Sequence, residues 1–347
     1  MKIRVNASKP YDVIVERGAK NEIAEYLKAL GLKGKVAVVS DSQVAPLYSE
    51  EICDLLVYGG FEPSEFVFEA GEESKNLTVW SALLSFLADE ELTRTDTVLA
   101  LGGGVTGDMA GFAAAAYMRG VHFVNVPTTL LAAIDSSVGG KTAVDLPQGK
   151  NLVGAFYQPD LVLIDPDFFS SLPYEEIKNG LGEGVKYAVL EGGRIFEILS
   201  EGLTRETLEE FICLSVEAKK RIVEADEKES GARKFLNLGH TLAHAVEKES
   251  NYSVPHGIAV AYGVGEMARL SYKKGELEKE DLDAILALLE KCDLSLALHP
   301  VGELIAHFSA DKKRAGDKLT LVTIRGIGDC RLTEIPLEEA AAYFEVE

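Results

Sequence analysis

The rhythm of apolar positions divides the chain in two. Up to about residue 165, short unbroken apolar runs alternate with stretches of helical period. Residues 36–39 (Val-Ala-Val-Val) end at Ser40-Asp41, and residues 98–101 end at three consecutive glycines. Residues 122–126 end at Pro127, and residues 161–164 end at Asp165-Pro166. Continuous apolar strands between helical segments predict a parallel sheet covered on both faces. Residues 19–30 and 77–88 have the period of covering helices. After Pro166 strand signals thin out and amphipathic helices dominate. In residues 205–225, Leu208, Phe211, Ile212, Ser215, Lys219 and Ile222 share a face. In residues 281–291, Leu282, Ile285, Leu286 and Leu289 do the same. Residues 318–324 and 330–335 read as a short strand pair, followed by a helix from Pro336. The pattern predicts an α/β, Rossmann-like domain over residues 1–165 and a mainly α-helical domain over residues 166–347. The length, 347 residues, suits two domains at roughly 150 residues each.

Composition sharpens this. The chain has 35 Lys+Arg and 56 Asp+Glu, a formal charge of −21, with 47% hydrophobic residues. It can bury a core, and its surface repels phosphodiester backbones, so no nucleic-acid partner is expected. The acidity is assigned to helical surfaces such as residues 276–283 and 224–229. No apolar run is long enough for a membrane span, and residues 1–15 lack the apolar core of a secretory signal. Cys53, Cys213, Cys292 and Cys330 are scattered, with no CxxC spacing, as expected of reduced thiols in a cytoplasmic protein.

Three groups of residues carry candidate chemistry. The first is the turn Gly102-Gly103-Gly104-Val105-Thr106-Gly107-Asp108, which follows a strand and opens an Ala-rich helix. Glycines admit a ligand close to the backbone, and a helix N-terminus offers free N–H groups to phosphate. The spacing is not GxGxxG. Further strand-end polar loops are Thr128-Thr129, residues 134–142 and Gly149-Lys150-Asn151. The second group is His240, His244 and His256, three of six histidines within seventeen residues. On a helix His240 and His244 share a face, and Glu183 adds a carboxylate. Two imidazoles, one carboxylate and an open position suit a catalytic divalent cation. Spacing does not decide which two histidines bind. The third group is a set of cations in an acidic chain. Lys219 lies mid-stripe on an apolar face, and Lys186 shares a helical face with Glu183. Arg233 and Asn237 would lie along one continuous helix with His240. Arg119, Lys141, Lys150 and the run Lys312-Lys313-Arg314 complete the set. Together they suit a small, multiply charged anion such as a phosphorylated sugar acid.

These segments resemble the 3-dehydroquinate synthase family over nearly the whole chain and in the family's order. The matching segments are Glu72-Glu73-Ser74-Lys75, residues 102–120, residues 127–131, Asp135 through Lys141, Glu183-Gly184-Val185-Lys186, residues 233–244 and Pro255-His256-Gly257. Residues 233–244 are the most specific. The triple glycine also occurs in related metal-dependent alcohol dehydrogenases. The resemblance implies Glu183, His240 and His256 as ligands for Zn²⁺, with Co²⁺ as the alternative. It implies catalytic roles for Lys141, Lys186, Lys219, Arg233, Asn237 and His244. It places Arg119, Asn151 and Lys312 (or Lys313) on substrate. Around NAD it places Asp41, Glu72, Lys75, Gly103, Gly104, Asp108, Thr128, Thr129, Leu131, Asp135, Lys150 and Ser171, the last where the family often has Thr.

The implied reaction converts 3-deoxy-D-arabino-heptulosonate 7-phosphate to 3-dehydroquinate and phosphate. It proceeds by transient oxidation with NAD, β-elimination of phosphate, reduction and aldol closure, in a cytoplasmic homodimer. The alternatives are a related sugar-phosphate cyclase, a polyol dehydrogenase and a catalytically dead nucleotide-binding module. A dehydrogenase of an uncharged polyol has no need of Lys186, Arg233, Asn237 and His244 as a set.

Overall fold

The apolar runs of the N-terminal half become strands of one sheet. A computed structural model describes residues 1–229, 231–295, 304 and 318–344. The chain separates into two units, Met1–Leu172 and Pro173–Glu347. In chain order the first contains β1 (Lys2–Val5), β2 (Tyr11–Val15), α1 (Ile23–Ala29), β3 (Lys35–Asp41), α2 (Ala45–Tyr58), β4 (Glu62–Phe68) and α3 (Leu77–Asp89). It continues with β5 (Thr97–Gly102), α4 (Gly104–Ala116), β6 (His122–Pro127), β7 (Lys141–Leu146), β8 (Gly149–Phe156) and β9 (Leu161–Ile164). Seven strands pair in the order β1-β2-β9-β6-β5-β3-β4. All neighbours are parallel except the edge pair β1 and β2. Every residue of β5 is buried, as a central strand covered on both faces requires. From β3 the chain moves outward to β4, then returns across β3 to β5. The carboxyl ends of β3 and β5 therefore flank a topological switch point, where open sheets of this kind bind ligands.

Two features differ from the sequence expectation. The segments read as polar loops at residues 134–142 and 149–151 run into an antiparallel hairpin of β7 and β8. Gly111 of α4 packs so closely on it that a Cβ would lie 2.5 Å from Thr142 Cγ2. Strands β1, β2 and β4 were not expected; β4, Glu-Pro-Ser-Glu-Phe-Val-Phe, is an edge strand with only its last residue buried, so its apolar signal is weak. The helical turn Pro166–Ser171 stays with the first unit, held by Arg17 to Asp167 (2.9 Å) and by Tyr48 Oη to the Phe168 carbonyl (3.3 Å).

The second unit contains α5 (Tyr174–Glu191), α6 (Gly193–Glu201), α7 (Leu208–Ala225), α8 (His240–Glu249), α9 (His256–Lys273), α10 (Lys279–Lys291), the antiparallel hairpin of β10 (Lys318–Gly326) and β11 (Asp329–Pro336), and α11 (Ala340–Phe344). Thirteen residues of α9 are buried, so it is the central helix rather than an amphipathic cover. Glycines set how closely its neighbours approach. A Cβ on Gly182 of α5 would lie 1.9 Å from the Gly257 carbonyl oxygen. A Cβ on Gly263 would lie 2.0 Å from the carbonyl oxygen of Gly239. Backbone thus meets backbone on both sides of α9, and no larger residue fits without separating the helices.

Candidate active site

In the first unit, candidate residues gather at strand ends. Gly103 caps α4 without a side-chain hydrogen bond, which leaves the first N–H groups of the helix to be met by solvent or ligand. The glycines are also a packing requirement: a Cβ on Gly103 would lie 3.2 Å from Thr129 Cγ2, and one on Gly104 would lie 3.2 Å from Ser136 Oγ. The Thr128 amide donates to the Gly102 carbonyl at 2.9 Å, tying the two strand ends together. Thr128 Oγ1 is buried with no hydrogen-bond partner among the described residues. An uncapped helix start beside an unsatisfied hydroxyl fits a polar ligand. Asp41 borders the same turn, accepting from Thr106 Oγ1 at 3.3 Å while its other oxygen caps the amides of Gln43 and Val44. Leu131 leads into a wide π-type turn, Ala132–Ser136, that carries Asp135.

Beside the turn stands an ion cluster. Lys75, 5% exposed, lies 2.7 Å from Asp108 and 3.8 Å from Glu72, which Lys150 also approaches at 3.7 Å. Burial alone would lower the Lys75 pKa, but Asp108 and Glu72 outweigh it and raise it. Asn151 adopts φ 55°, a conformation asparagine tolerates, and its amide donates to Asp145 at 2.6 Å. Lys141 opens β7 and lines a small cavity with Asp108, Asn125 and Ser137. Two residues stand elsewhere. Arg119 follows the C-terminal end of α4, a helix of thirteen residues and hence about 20 Å from the glycine turn. The Ser171 hydroxyl accepts from Tyr48 at 2.6 Å and donates to the Phe168 carbonyl at 3.0 Å, so it is used within the fold.

In the second unit three helices bring the histidines to Glu183. Glu183 sits mid-α5 and is 1% exposed. The break at Gly239 (φ 79°) starts α8 at His240, and Pro255 starts α9 at His256. The Gly257 amide donates to Asn179 Oδ1 at 2.8 Å, which pins the start of α9 to α5. Glu183 Oε1 lies 3.5 Å from His240 Nε2 and 3.2 Å from His256 Nε2, and Lys186 Nζ lies 2.5 Å from Oε2. One ligand atom from each of Glu183, His240 and His256 falls within 4.8 Å of the others. His244, whose spacing pairs it with His240, is exposed, with ring centroids 5.7 Å apart.

Both Glu183 oxygens are buried yet neither accepts a hydrogen bond of acceptable geometry. Lys186 meets the charge at Oε2, while Oε1 faces both imidazoles, and one carboxylate with two imidazoles at that spacing fits a divalent metal. Burial pushes the Glu183 pKa up, but Lys186, His240 and His256 outweigh it and hold it well below the ordinary range. Burial would lower the His256 pKa, but Glu183 and Glu247 raise it to about 10, and a bound cation would displace that proton. His240 Nδ1 lies 3.1 Å from the Leu238 carbonyl, which can only accept, so Nδ1 carries a proton and Nε2 is the atom a cation would take.

The cation-bearing segment is not the continuous helix expected. Ala232–Asn237 is a short 3-10 stretch, and Leu238-Gly239 separates it from α8. Nor are residues 224–229 merely a solvated acidic face. Asp226 Oδ2 accepts from the amides of Gly231 (2.6 Å) and Arg233 (3.0 Å), and Glu229 accepts from Asn237 Nδ2 at 3.2 Å. The Arg233 guanidinium, buried, donates to the Glu227 carbonyl at 2.5 Å. Acidic residues thus hold the turn that holds the cation, a role that a charge count assigns to surface. Lys219 is buried on α7, which packs on α5 and on this turn. Lys312 and Lys313 lie outside the described residues, as do His299 and His307.

Comparison with known proteins matches residues 65–179 to the N-terminal model of 3-dehydroquinate synthase and residues 180–314 to its C-terminal model. The 3-dehydroquinate synthase of Streptococcus suis is 41% identical over 100% of both chains. That of Streptococcus gordonii is 41% identical over 99% of this chain and 100% of its own. Among solved structures, 2-deoxy-scyllo-inosose synthase in complex with carbaglucose-6-phosphate, NAD⁺ and Co²⁺ superposes with a TM-score of 0.89 at 26% identity, covering 99% of each chain. The 2-epi-5-epi-valiolone synthase of Streptomyces hygroscopicus, with NAD⁺ and Zn²⁺ bound, gives 0.86 at 27% identity over 98% of each chain. An archaeal alcohol dehydrogenase shares the fold alone, at a TM-score of 0.64 and 16% identity.

Proposed function

The chain belongs to the 3-dehydroquinate synthase family, and from that premise we propose that it converts 3-deoxy-D-arabino-heptulosonate 7-phosphate to 3-dehydroquinate and phosphate, using NAD and a divalent cation catalytically. The observation that carries the metal half of this reading is the buried Glu183 carboxylate, which faces two imidazoles and accepts no hydrogen bond. Glu183, His240 and His256 would hold the cation. The α4 N-terminus, with Gly103, Gly104 and Thr128, would take the dinucleotide phosphates, and the Lys75 cluster would border it. When bound, the cation polarises the alcohol oxygen to be oxidised, and NAD accepts a hydride and later returns it.

The remaining work falls to side chains of the chain. Lys186 sits against Glu183 and over the Tyr187 ring at 4.6 Å, a fixed ammonium in a buried setting. Arg233 and Asn237 are oriented by Glu227 and Glu229 before any substrate arrives, which lowers the entropy cost of holding an anion. Lys141, Lys219, His244, Asn151, Arg119 and Lys312 belong to the same reading as substrate contacts. Zn²⁺ is the assigned metal, with Co²⁺ as the alternative. The acidic surface and the free cysteines support a cytoplasmic location. Among the described residues no helix is long and apolar enough to cross a membrane. The homodimer is carried over from the family.

The test is substrate choice. With NAD⁺ and Zn²⁺ the protein releases phosphate from the heptulosonate phosphate. Steady NADH formation on glycerol, without phosphate release from the sugar phosphate, would make it a polyol dehydrogenase instead.

A further inference from the structure

His256 has two ring nitrogens, and only one of them would bind the cation. Nε2 faces Glu183, while Nδ1 lies 3.4 Å from Glu247 Oε1. Glu247 is 4% exposed and sits near the end of α8. Its spacing from His240, like that of His244, keeps it on one helical face. A carboxylate is costly to bury without a partner. One partner here is an imidazole N–H. An acceptor at Nδ1 places the proton there and presents the Nε2 lone pair to the cation.

The two histidines are treated differently. His240 Nδ1 faces a neutral backbone carbonyl, that of Leu238, at 3.1 Å. His256 faces a full negative charge, which makes its ring the stronger donor of the two. We propose that Glu247 is a positioning residue for His256, fixing the tautomer and orientation of that ring and thereby tightening the cation centre. The inference rests on the reading of Glu183, His240 and His256 as cation ligands. Helix α8 then builds the centre twice, directly through His240 and indirectly through Glu247 two turns later.

The experiment is Co²⁺ titration of the metal-free protein against a chromophoric chelator, with the visible absorption of bound Co²⁺ recorded for wild type, Glu247→Ala, Glu247→Gln and His256→Ala. Glu247→Ala should bind about 10–100-fold more weakly than wild type, with an altered absorption spectrum. Glu247→Gln, whose amide oxygen still accepts from Nδ1 but carries no charge, should fall between and bind several-fold more weakly. If Glu247→Ala does not fold, Glu247→Gln decides, and affinity and spectrum equal to wild type overturn the proposal. A purely structural Glu247 would lower the melting temperature of the metal-free protein and leave Co²⁺ affinity and spectrum unchanged, which also overturns it. A failure of the ligand reading is separate and visible: wild type would bind no Co²⁺, or His256→Ala would bind as well as wild type.

Discussion

The Lys75 cluster and the Glu183 centre are both buried ionic groups, yet they are satisfied in different ways. Lys75 has Asp108 at 2.7 Å and Glu72 at 3.8 Å, so its charge is met by the chain itself. Glu183 has cationic neighbours on both oxygens but no hydrogen bond to either. The first group shapes a surface on which a ligand can rest. The second is a donor set that a ligand completes. The difference follows from construction. Strand ends and turns build the first locally, whereas three helices crossing at glycines bring the second together from residues 183, 240 and 256.

The largest effects are expected at the second site. His256→Ala removes a donor atom, so zinc content should fall from stoichiometric to near none. Turnover should fall beyond the ~10–100-fold typical of losing an outer partner of a ligand. Metal analysis with steady-state kinetics checks this. Next, Gly257→Ala places a methyl 1.8 Å from the Asn179 carbonyl oxygen, so α9 must withdraw from α5. We expect a loss of about 3 kcal/mol or more and metal loss with it, read by chemical denaturation and zinc assay.

Much of this was legible in the sequence, unevenly. The four apolar runs that became β3, β5, β6 and β9 announced themselves because central parallel strands are apolar throughout. The edge strand β4 and the polar hairpin of β7 and β8 carry too little apolar signal to be seen. The histidines stood out by rarity, but spacing nominated His244 beside His240, while the atoms that converge with Glu183 are those of His240 and His256. That convergence depends on Gly239 and Gly257, whose packing role no local pattern reports. Asp226, Glu229 and Glu247 were hidden in the acidic composition. The one signal for Glu247 was its seven-residue spacing from His240.

Smaller changes sharpen the first site. Lys75→Ala removes the ammonium 2.7 Å from Asp108. Stability should drop by about 2 kcal/mol and the KM for NAD⁺ should rise roughly tenfold, with little change in zinc content. Loss of zinc in this variant would show that the two groups are not independent. The smallest effect is reserved for Asp96, which is away from both sites at the start of β5. Thr93 N, Thr93 Oγ1 and Lys35 N donate to it at 2.6, 2.7 and 2.9 Å. Burial pushes its pKa up, but these hydrogen bonds outweigh it and hold it below the ordinary aspartate range. Its stabilisation is therefore present above the ordinary aspartate range and is lost as pH falls through the depressed value. Asp96→Asn should cost about 1–2 kcal/mol at neutral pH, with the gap to wild type closing in acid and kinetic constants unchanged.

In this reaction NAD and the cation are reused in every catalytic cycle rather than consumed. This reuse is tested most directly by supplying zinc-loaded protein with excess heptulosonate phosphate and NAD⁺ far below the substrate concentration, following phosphate and the NADH absorbance together. Many phosphates should be released per NAD⁺ with no lasting NADH signal. Phosphate that stops at one per NAD⁺, matched by accumulated NADH, would contradict it.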